Sequence, residues 1–160
     1  MIVLAFILIA GVTPEADMEK LIAALSAVAA GATPAAQLTG AYADGNGLDG
    51  WTHVTIQGGE VHVKRTRPRK PDAEFKGALL ESEARELARL AVDGKLWTVV
   101  SARAHGVPDE TQPRITLGVD GAELSVKLWD NEADGVPAFS AVRRTLLAIA
   151  ARVSRGAVTY

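Results

Sequence analysis

Two short segments of this chain each predict their own strand register. If they turn at Gly58-Gly59 and at Asp120-Gly121, apolar residues face apolar residues and polar residues face polar ones. The apolar cross-strand pairs are Ile56/Val61 and Val54/Val63 in the first hairpin, then Val119/Ala122, Leu117/Leu124 and Ile115/Val126 in the second. The polar pairs are Gln57/Glu60, Thr55/His62 and His53/Lys64, then Gly118/Glu123, Thr116/Ser125 and Arg114/Lys127. Because a slip of one residue would invert every side chain, this agreement predicts two antiparallel hairpins, each with one buried face.

The composition predicts an ordinary domain with a substantial core. The chain has 160 residues, of which 48% are hydrophobic, and its 17 basic and 19 acidic residues nearly balance. This balance gives no overall charge that favours nucleic acid or a membrane surface. The chain has no cysteine, which excludes disulfides, thiolate catalysis and cysteine-ligated zinc or iron–sulfur clusters. No cofactor is indicated.

The first twelve residues, MIVLAFILIAGV, form an apolar run. The run is too short to cross a bilayer, which needs about 20 residues. It has the length of a signal-peptide core, but no Lys or Arg precedes Lys20. We favour a buried strand from Ile2 to Ile9 over a signal peptide, and therefore a cytoplasmic protein over a secreted one. The compartment stays open.

Helical and irregular segments follow the apolar run. Thr13-Pro14 is a typical helix start, and apolar residues then recur at helical spacing until Gly31. Residues 32–50 are rich in Ala, Gly, Thr and Pro without periodicity, which predicts a loop or linker. The expected organisation is therefore an N-terminal segment and amphipathic helix (1–31), a linker (32–50) and a main domain (51–156).

The main domain alternates strands and helices. The first hairpin leads into a charged loop, RPRKPDAEFKG, and Ser82 can cap a helix that ends at Gly94. A further strand is expected over Leu96–Ala102, followed by a surface loop, and a last helix begins at Pro137 and stops at Gly156. One-faced hairpins and one-faced helices can bury their apolar surfaces only against each other. This predicts a two-layer α+β sandwich: an antiparallel sheet of two hairpins and a further strand, packed on two helices, with an N-terminal strand or helix appendage.

Some residue clusters match metal or nucleotide sites only in part. The letters G-x-G-x-x-G occur at residues 45–50, but no helix is expected after them, so we interpret them as a turn. The stretch DGNGLDG and the triplet Asp130, Glu132 and Asp134 have acids at calcium-loop spacing without a full ligand set. The triplet is kept as a weak metal candidate.

The three histidines offer two catalytic hypotheses. His53 and His62 would be diagonal neighbours on the first hairpin, with Glu60 as a third metal ligand. His105 lies near acidic residues and could act as a base, but no recognisable nucleophile accompanies it. A small metal-dependent hydrolase therefore stays an alternative, and the chain is expected not to be an enzyme.

Two groups of residues are candidates for binding a partner. The strongest charge feature is a run of five cations without an acid: Lys64, Arg65, Arg67, Arg69 and Lys70. It could bind phosphates, although no aromatic residues interleave to stack bases, so nucleic acid is the less favoured partner. Trp51 and Trp129 extend the polar faces of the hairpins, where exposed tryptophans can anchor a protein partner. The acidic stretch 109–134 could pair with the basic run in a homodimer.

The order of these segments is similar to that of a known family. The Gly58-Gly59 hairpin, "LLESEARELARLA", "KLW", "RITLGVDGAELSVKL" and "VPAFSAVRRTLLAIA" resemble emfourin-type protease inhibitors, and equally some small secreted bacterial domains of unknown function. The resemblance covers about residues 50–155 and assigns no functional residue. It implies a non-enzymatic domain that binds a thermolysin-like metalloprotease through loops. Together with the absent nucleophile, it predicts a non-catalytic protein-binding domain, with protease inhibition as one form of that function.

Overall fold

The computed structural model describes residues 15–158. Over this range the helices are α1 (Glu15–Ala29), α2 (Glu81–Asp93), α3 (Asp130–Ala133) and α4 (Pro137–Val153). The strands are β1 (Leu38–Asn46), β2 (Gly50–Gln57), β3 (Glu60–Arg67), β4 (Lys70–Ala78), β5 (Arg114–Val119) and β6 (Ala122–Lys127). Short 3₁₀ turns occupy Ala35–Gln37 and Leu96–Thr98. The predicted N-terminal strand, signal-peptide alternative and Thr13-Pro14 helix start lie outside the described residues.

The six strands form one antiparallel sheet in the order β4-β3-β2-β1-β5-β6. Both predicted hairpin registers are confirmed: Val54 lies opposite Val63 in β2–β3, and Leu117 lies opposite Leu124 in β5–β6. The reason is that each register buries one complete set of alternate side chains.

The helices pack on one face of the sheet, which confirms the predicted α+β sandwich. Helix α1 packs against β5 and β6, α4 packs against β3 and β4, and α2 contacts both helices. The core between the layers includes Leu21 and Leu25 of α1, Leu87 of α2, and Phe139 and Leu146 of α4. We call the opposite side of the sheet, where alternate residues of β2 such as Trp51 and His53 are exposed, the outer face.

The prediction of a loop or linker over residues 32–50 is wrong, because residues 38–46 form β1 at the centre of the sheet. Its sequence, LTGAYADGN, contains few strand formers. Leu38 and Tyr42 are nevertheless buried, and Gly40 lies between them. A Cβ at Gly40 would lie 3.3 Å from Leu117 and 3.4 Å from Ile56, so a small residue suits this position between two neighbouring strands.

The prediction of a strand over Leu96–Ala102 is also wrong. Leu96–Thr98 form a 3₁₀ turn, and residues 99–113 contain no helix or strand. The additional edge strand is instead β4, which lies within the stretch expected to be a charged loop. Its Phe75 lies opposite Val63 and packs against the core. Lys and Pro at the start of β4 are typical of an edge strand, because they discourage pairing with another chain.

The predicted helix ends agree with the structure at two positions, since Gly94 is the C-cap of α2 and Pro137 begins α4. Helix α2 has Leu80, not Ser82, at its N-cap. The Glu83 carboxylate accepts the backbone N–H of Leu80 at 3.0 Å, which satisfies one of the free donors at this end. Helix α4 starts at Pro137 as predicted and ends three residues before Gly156, which has a φ of +81°.

Candidate functional site

The longest irregular segment between described elements is residues 99–113, which connect the second 3₁₀ turn to β5. We call it the braced loop. Loops of this length without secondary structure are uncommon in small domains and are often functional. This loop is held in place by side-chain hydrogen bonds.

An ion pair closes the braced loop on itself. Both nitrogens at the end of the Arg103 guanidinium donate to the Glu110 carboxylate at 2.8 Å. The same carboxylate accepts the backbone N–H groups of Val107 at 2.9 Å and of Asn131 at 3.1 Å. The Glu110 side chain is only 3% exposed. The Arg103 hydrogen bonds, assisted by those two N–H groups, lower the pKa of Glu110 to about 2.

A second carboxylate attaches the start of the loop to α3. Glu132 accepts the hydroxyl of Ser101 at 2.7 Å and the backbone N–H of Ala102 at 2.5 Å. These bonds, Ser101 first, lower the pKa of Glu132 below its ordinary value. Two carboxylates therefore satisfy backbone and side-chain donors that an irregular segment would otherwise leave to water.

Trp129 supports the middle of the loop. Its indole N–H donates to the backbone carbonyl of Arg103 at 3.2 Å, and the Arg103 guanidinium lies 5.8 Å from the ring centroid. Gly106 packs directly on the ring, since a Cβ there would lie 2.3 Å from two indole carbons. The expectation of an exposed Trp129 on the sheet is wrong: β6 ends at Lys127, and Trp129 is a half-buried support under the loop.

The loop exposes apolar side chains on this fixed backbone. Val100 is 80% exposed and Val107 is 54% exposed. His105, predicted as a possible base, also lies on the exposed part of the loop, whereas its neighbour Glu110 is bound to Arg103. Sequence analysis recognised a surface loop here but not its bracing. The available signal was the pairing of Arg103 with Glu110 at a spacing of seven residues.

The predicted basic run is divided between β3, β4 and the turn between them. Lys64 lies 3.4 Å from Asp72 and 3.3 Å from Glu74 on β4, and hydrogen bonds to Glu74 and then Asp72 raise its pKa. Arg65 donates to the hydroxyl of Thr52. The remaining members, Arg67, Arg69 and Lys70, are exposed around the turn. The run therefore does not form one continuous cationic surface.

The proposed metal ligands do not converge. Asp130 and Asp134 lie 2.9 and 3.6 Å from the guanidinium of Arg143, whereas Glu132 binds the braced loop. Within residues 15–158, no group of three or more histidine or acidic side chains is placed to hold a metal ion.

The histidines of the first hairpin have separate surroundings. The register keeps His53 and His62 as diagonal neighbours. His53 stacks on Trp51, with ring centroids 6.0 Å apart, while His62 lies 3.5 Å from Glu74. Glu60, the third ligand considered, lies 3.8 Å from Lys76. The G-x-G-x-x-G letters cover the end of β1, the turn at residues 47–49 and the first residue of β2, and no helix follows them.

Arg143 is at the centre of a network that sequence analysis missed. It donates to Asp44 at 2.9 Å, to Asp130 at 2.9 Å and to the Tyr42 hydroxyl at 3.1 Å, and that hydroxyl donates to Asp44 at 2.9 Å. Burial lowers the pKa of Arg143, but Tyr42 and the two carboxylates outweigh this effect and raise it overall. The network joins α4, β1 and α3, which positions α3 beneath the braced loop.

Comparison with known proteins adds no family assignment: no protein-family model matches the sequence, and no curated protein matches it either. None of the helices within residues 15–158 is both long enough and apolar enough to cross a membrane.

Proposed function

We propose that this chain is a non-catalytic protein-binding domain that contacts its partner with the braced loop. The observation that supports this most directly is the bracing itself: Glu110, Glu132 and Trp129 form hydrogen bonds to an irregular 15-residue segment. A loop that is ordered before binding loses less conformational entropy when it binds. Exposed Val100 and Val107 would then supply apolar contacts at low entropic cost.

The partner class that we propose is a metalloprotease. The resemblance to emfourin-type inhibitors supports this class, and so does the form of the loop. Exposed Val100 and Val107 offer apolar side chains that a substrate cleft can accept, and a braced segment resists the local opening that cleavage requires. The domain would thus occupy the cleft without being cut.

Titration of a thermolysin-like metalloprotease with the full chain tests this proposal. We expect saturable inhibition of peptide hydrolysis at a stoichiometric ratio, with the inhibitor recovered intact. Val107→Asp and Val100→Asp should each weaken inhibition by about tenfold or more, because each places a charge in an apolar contact. Leu48→Asp, at an exposed residue in the β1–β2 turn, is the matched control and should inhibit like the wild type.

Two results would overturn the proposal. Absence of inhibition by the folded wild-type chain would exclude a metalloprotease as the partner. Rapid cleavage within residues 99–113 would show that the loop is a substrate and that its bracing does not protect it.

A further inference from the structure

The outer face contains a second candidate site, at the end of the sheet where β1, β2, β5 and β6 come together. A hollow of about 270 Å³ is lined by Ala43, Trp51, Gln112, Arg114 and Lys127. The lining includes two cations, one aromatic ring, one amide and no acid. Its composition points to an anionic ligand.

The two cations are placed in direct opposition. Arg114 on β5 lies opposite Lys127 on β6 in the antiparallel register. Like charges directly opposite each other destabilise a sheet, since their side chains start about 5 Å apart. Among residues 15–158, neither Arg114 nor Lys127 forms an ion pair, whereas Lys64 farther along the same face is neutralised by Asp72 and Glu74. An anion bound between Arg114 and Lys127 would remove this repulsion.

The aromatic wall of the hollow is the ring of Trp51. Trp51 is 42% exposed and stacks on His53 with an interplanar angle of 22°. Ala43, the β1 neighbour of both His53 and Arg114, leaves space between the ring and the cations. Planar ligands bind such an exposed ring by stacking.

We propose that this hollow binds a ligand that joins a flat ring to a phosphate, as in a nucleoside monophosphate. The ring would stack on Trp51, and the phosphate would accept hydrogen bonds from Arg114 and Lys127. A phosphate suits the pair better than a carboxylate, because its charge approaches two and its oxygens match the guanidinium fork. Gln112 adds a polar contact at the rim. Gln112 belongs to the end of the braced loop, whereas Val100 and Val107, the proposed protease contacts, do not line the hollow.

Calorimetric titration of the full chain with AMP, adenosine and inorganic phosphate tests the proposal. We expect AMP to bind more tightly than adenosine or phosphate, because only AMP uses both halves of the site. Arg114→Gln with Lys127→Gln should weaken AMP binding by about tenfold or more. Added salt should also weaken AMP binding to the wild type, because it screens the attraction between phosphate and cations. Trp51→Leu should weaken AMP binding but leave the binding of inorganic phosphate unchanged.

A double variant of the β3–β4 turn is the matched control. Arg67→Gln with Arg69→Gln removes the same charge from exposed arginines near the sheet, so AMP binding should stay within about twofold of the wild type if local contacts dominate. Equal losses in both double variants would show non-specific attraction and overturn the proposal. Absence of AMP binding by wild-type protein at millimolar concentration would also overturn it.

Two further measurements complete the test. Without ligand, the Arg114→Gln, Lys127→Gln double variant should unfold at a higher temperature than wild type, because the cross-strand repulsion is gone. A lower unfolding temperature would show that the two cations stabilise the fold and would contradict a ligand site.

Binding of a single-stranded RNA tetranucleotide distinguishes the two sources of such a ligand. Binding about tenfold tighter than that of AMP would identify nucleic acid as the ligand, and equal affinity would identify the free nucleotide.

Discussion

The guanidinium of Arg143 on α4 lies 2.9 Å from the carboxylate of Asp44 on β1, 99 residues away in the chain. Their side chains are 11% and 5% exposed, so the pair is shielded from solvent. Removing Arg143 takes a cation away from the buried Asp44 carboxylate, which keeps the hydrogen bond from the Tyr42 hydroxyl. We expect Arg143→Met to lower the free energy of unfolding by about 3–5 kcal/mol, measured by urea denaturation.

The neighbouring arginine is the control for this prediction. Arg144 is exposed on the same turn of α4, so Arg144→Met should change stability by less than about 0.5 kcal/mol. Similar losses in the two variants would contradict a specific role for Arg143.

The braced loop should lose stability in acid through Glu110. The folded-state pKa of this group is about 2, below its ordinary value of 4.5, so its contribution to stability is complete above about pH 4.5. That contribution is lost as the pH falls towards 2, when the carboxylate takes up a proton. In urea titrations at a series of pH values, Glu110→Gln should therefore show a shallower decline of unfolding free energy over this range than wild type.

Glu60→Gln, which removes an exposed carboxylate from β3, is the comparison for the acid titration. If Glu110→Gln and Glu60→Gln reduce the pH dependence of the unfolding free energy equally, the hydrogen bonds of Glu110 are not its cause.

The contact between Gly106 and Trp129 predicts a steric effect on the loop. Gly106→Ala would place a Cβ 2.3 Å from the indole ring, so either the loop or the ring must move. We expect faster hydrogen exchange over residues 99–113 and a loss of about 1–3 kcal/mol in stability. Gly47→Ala adds a Cβ with no atom within 4 Å and should leave exchange in the loop unchanged. Unchanged exchange in Gly106→Ala would show that Trp129 does not hold the loop.

Strand β1 tolerates only a small side chain at Gly40. Gly40→Val would press against Leu117 and Ile56 on the inner face, and we expect it to lower the free energy of unfolding by about 1–3 kcal/mol. Ala41→Val adds a β-branched residue to the half-buried outer face of the same strand and should be neutral or stabilising. Thermal unfolding compares the two. A greater loss in Ala41→Val would contradict the assignment of the faces.

Part of the fold could be predicted because its information is local. In the β2–β3 hairpin, the period of two and the Gly58-Gly59 turn determine which residues pair, so Val54 opposite Val63 follows from neighbouring residues alone. The stripe on α4 that includes Phe139 and Leu146 follows in the same way from a period near four.

Other elements had no local signal. Strand β1 has Gly40 and Ala41 where strand formers are expected, and it is a strand because β2 and β5 pair with it on both sides. The candidate sites depend on such distant contacts too. Trp129 was expected on an open sheet, but Gly106, 23 positions earlier, covers it.

By itself, then, the amino-acid order determined the pairing within two hairpins, the helical faces and the layered α+β class. These features depend on apolar residues that recur every two residues in a strand or about every four in a helix. Only the tertiary structure decided that β1 is central, that Arg143 meets Asp44, and that Arg114 and Lys127 face Trp51 across a hollow. Those relationships join residues that are far apart in the chain. Packing of the complete sheet brings these residues together, and no pattern among neighbouring residues predicts that they meet.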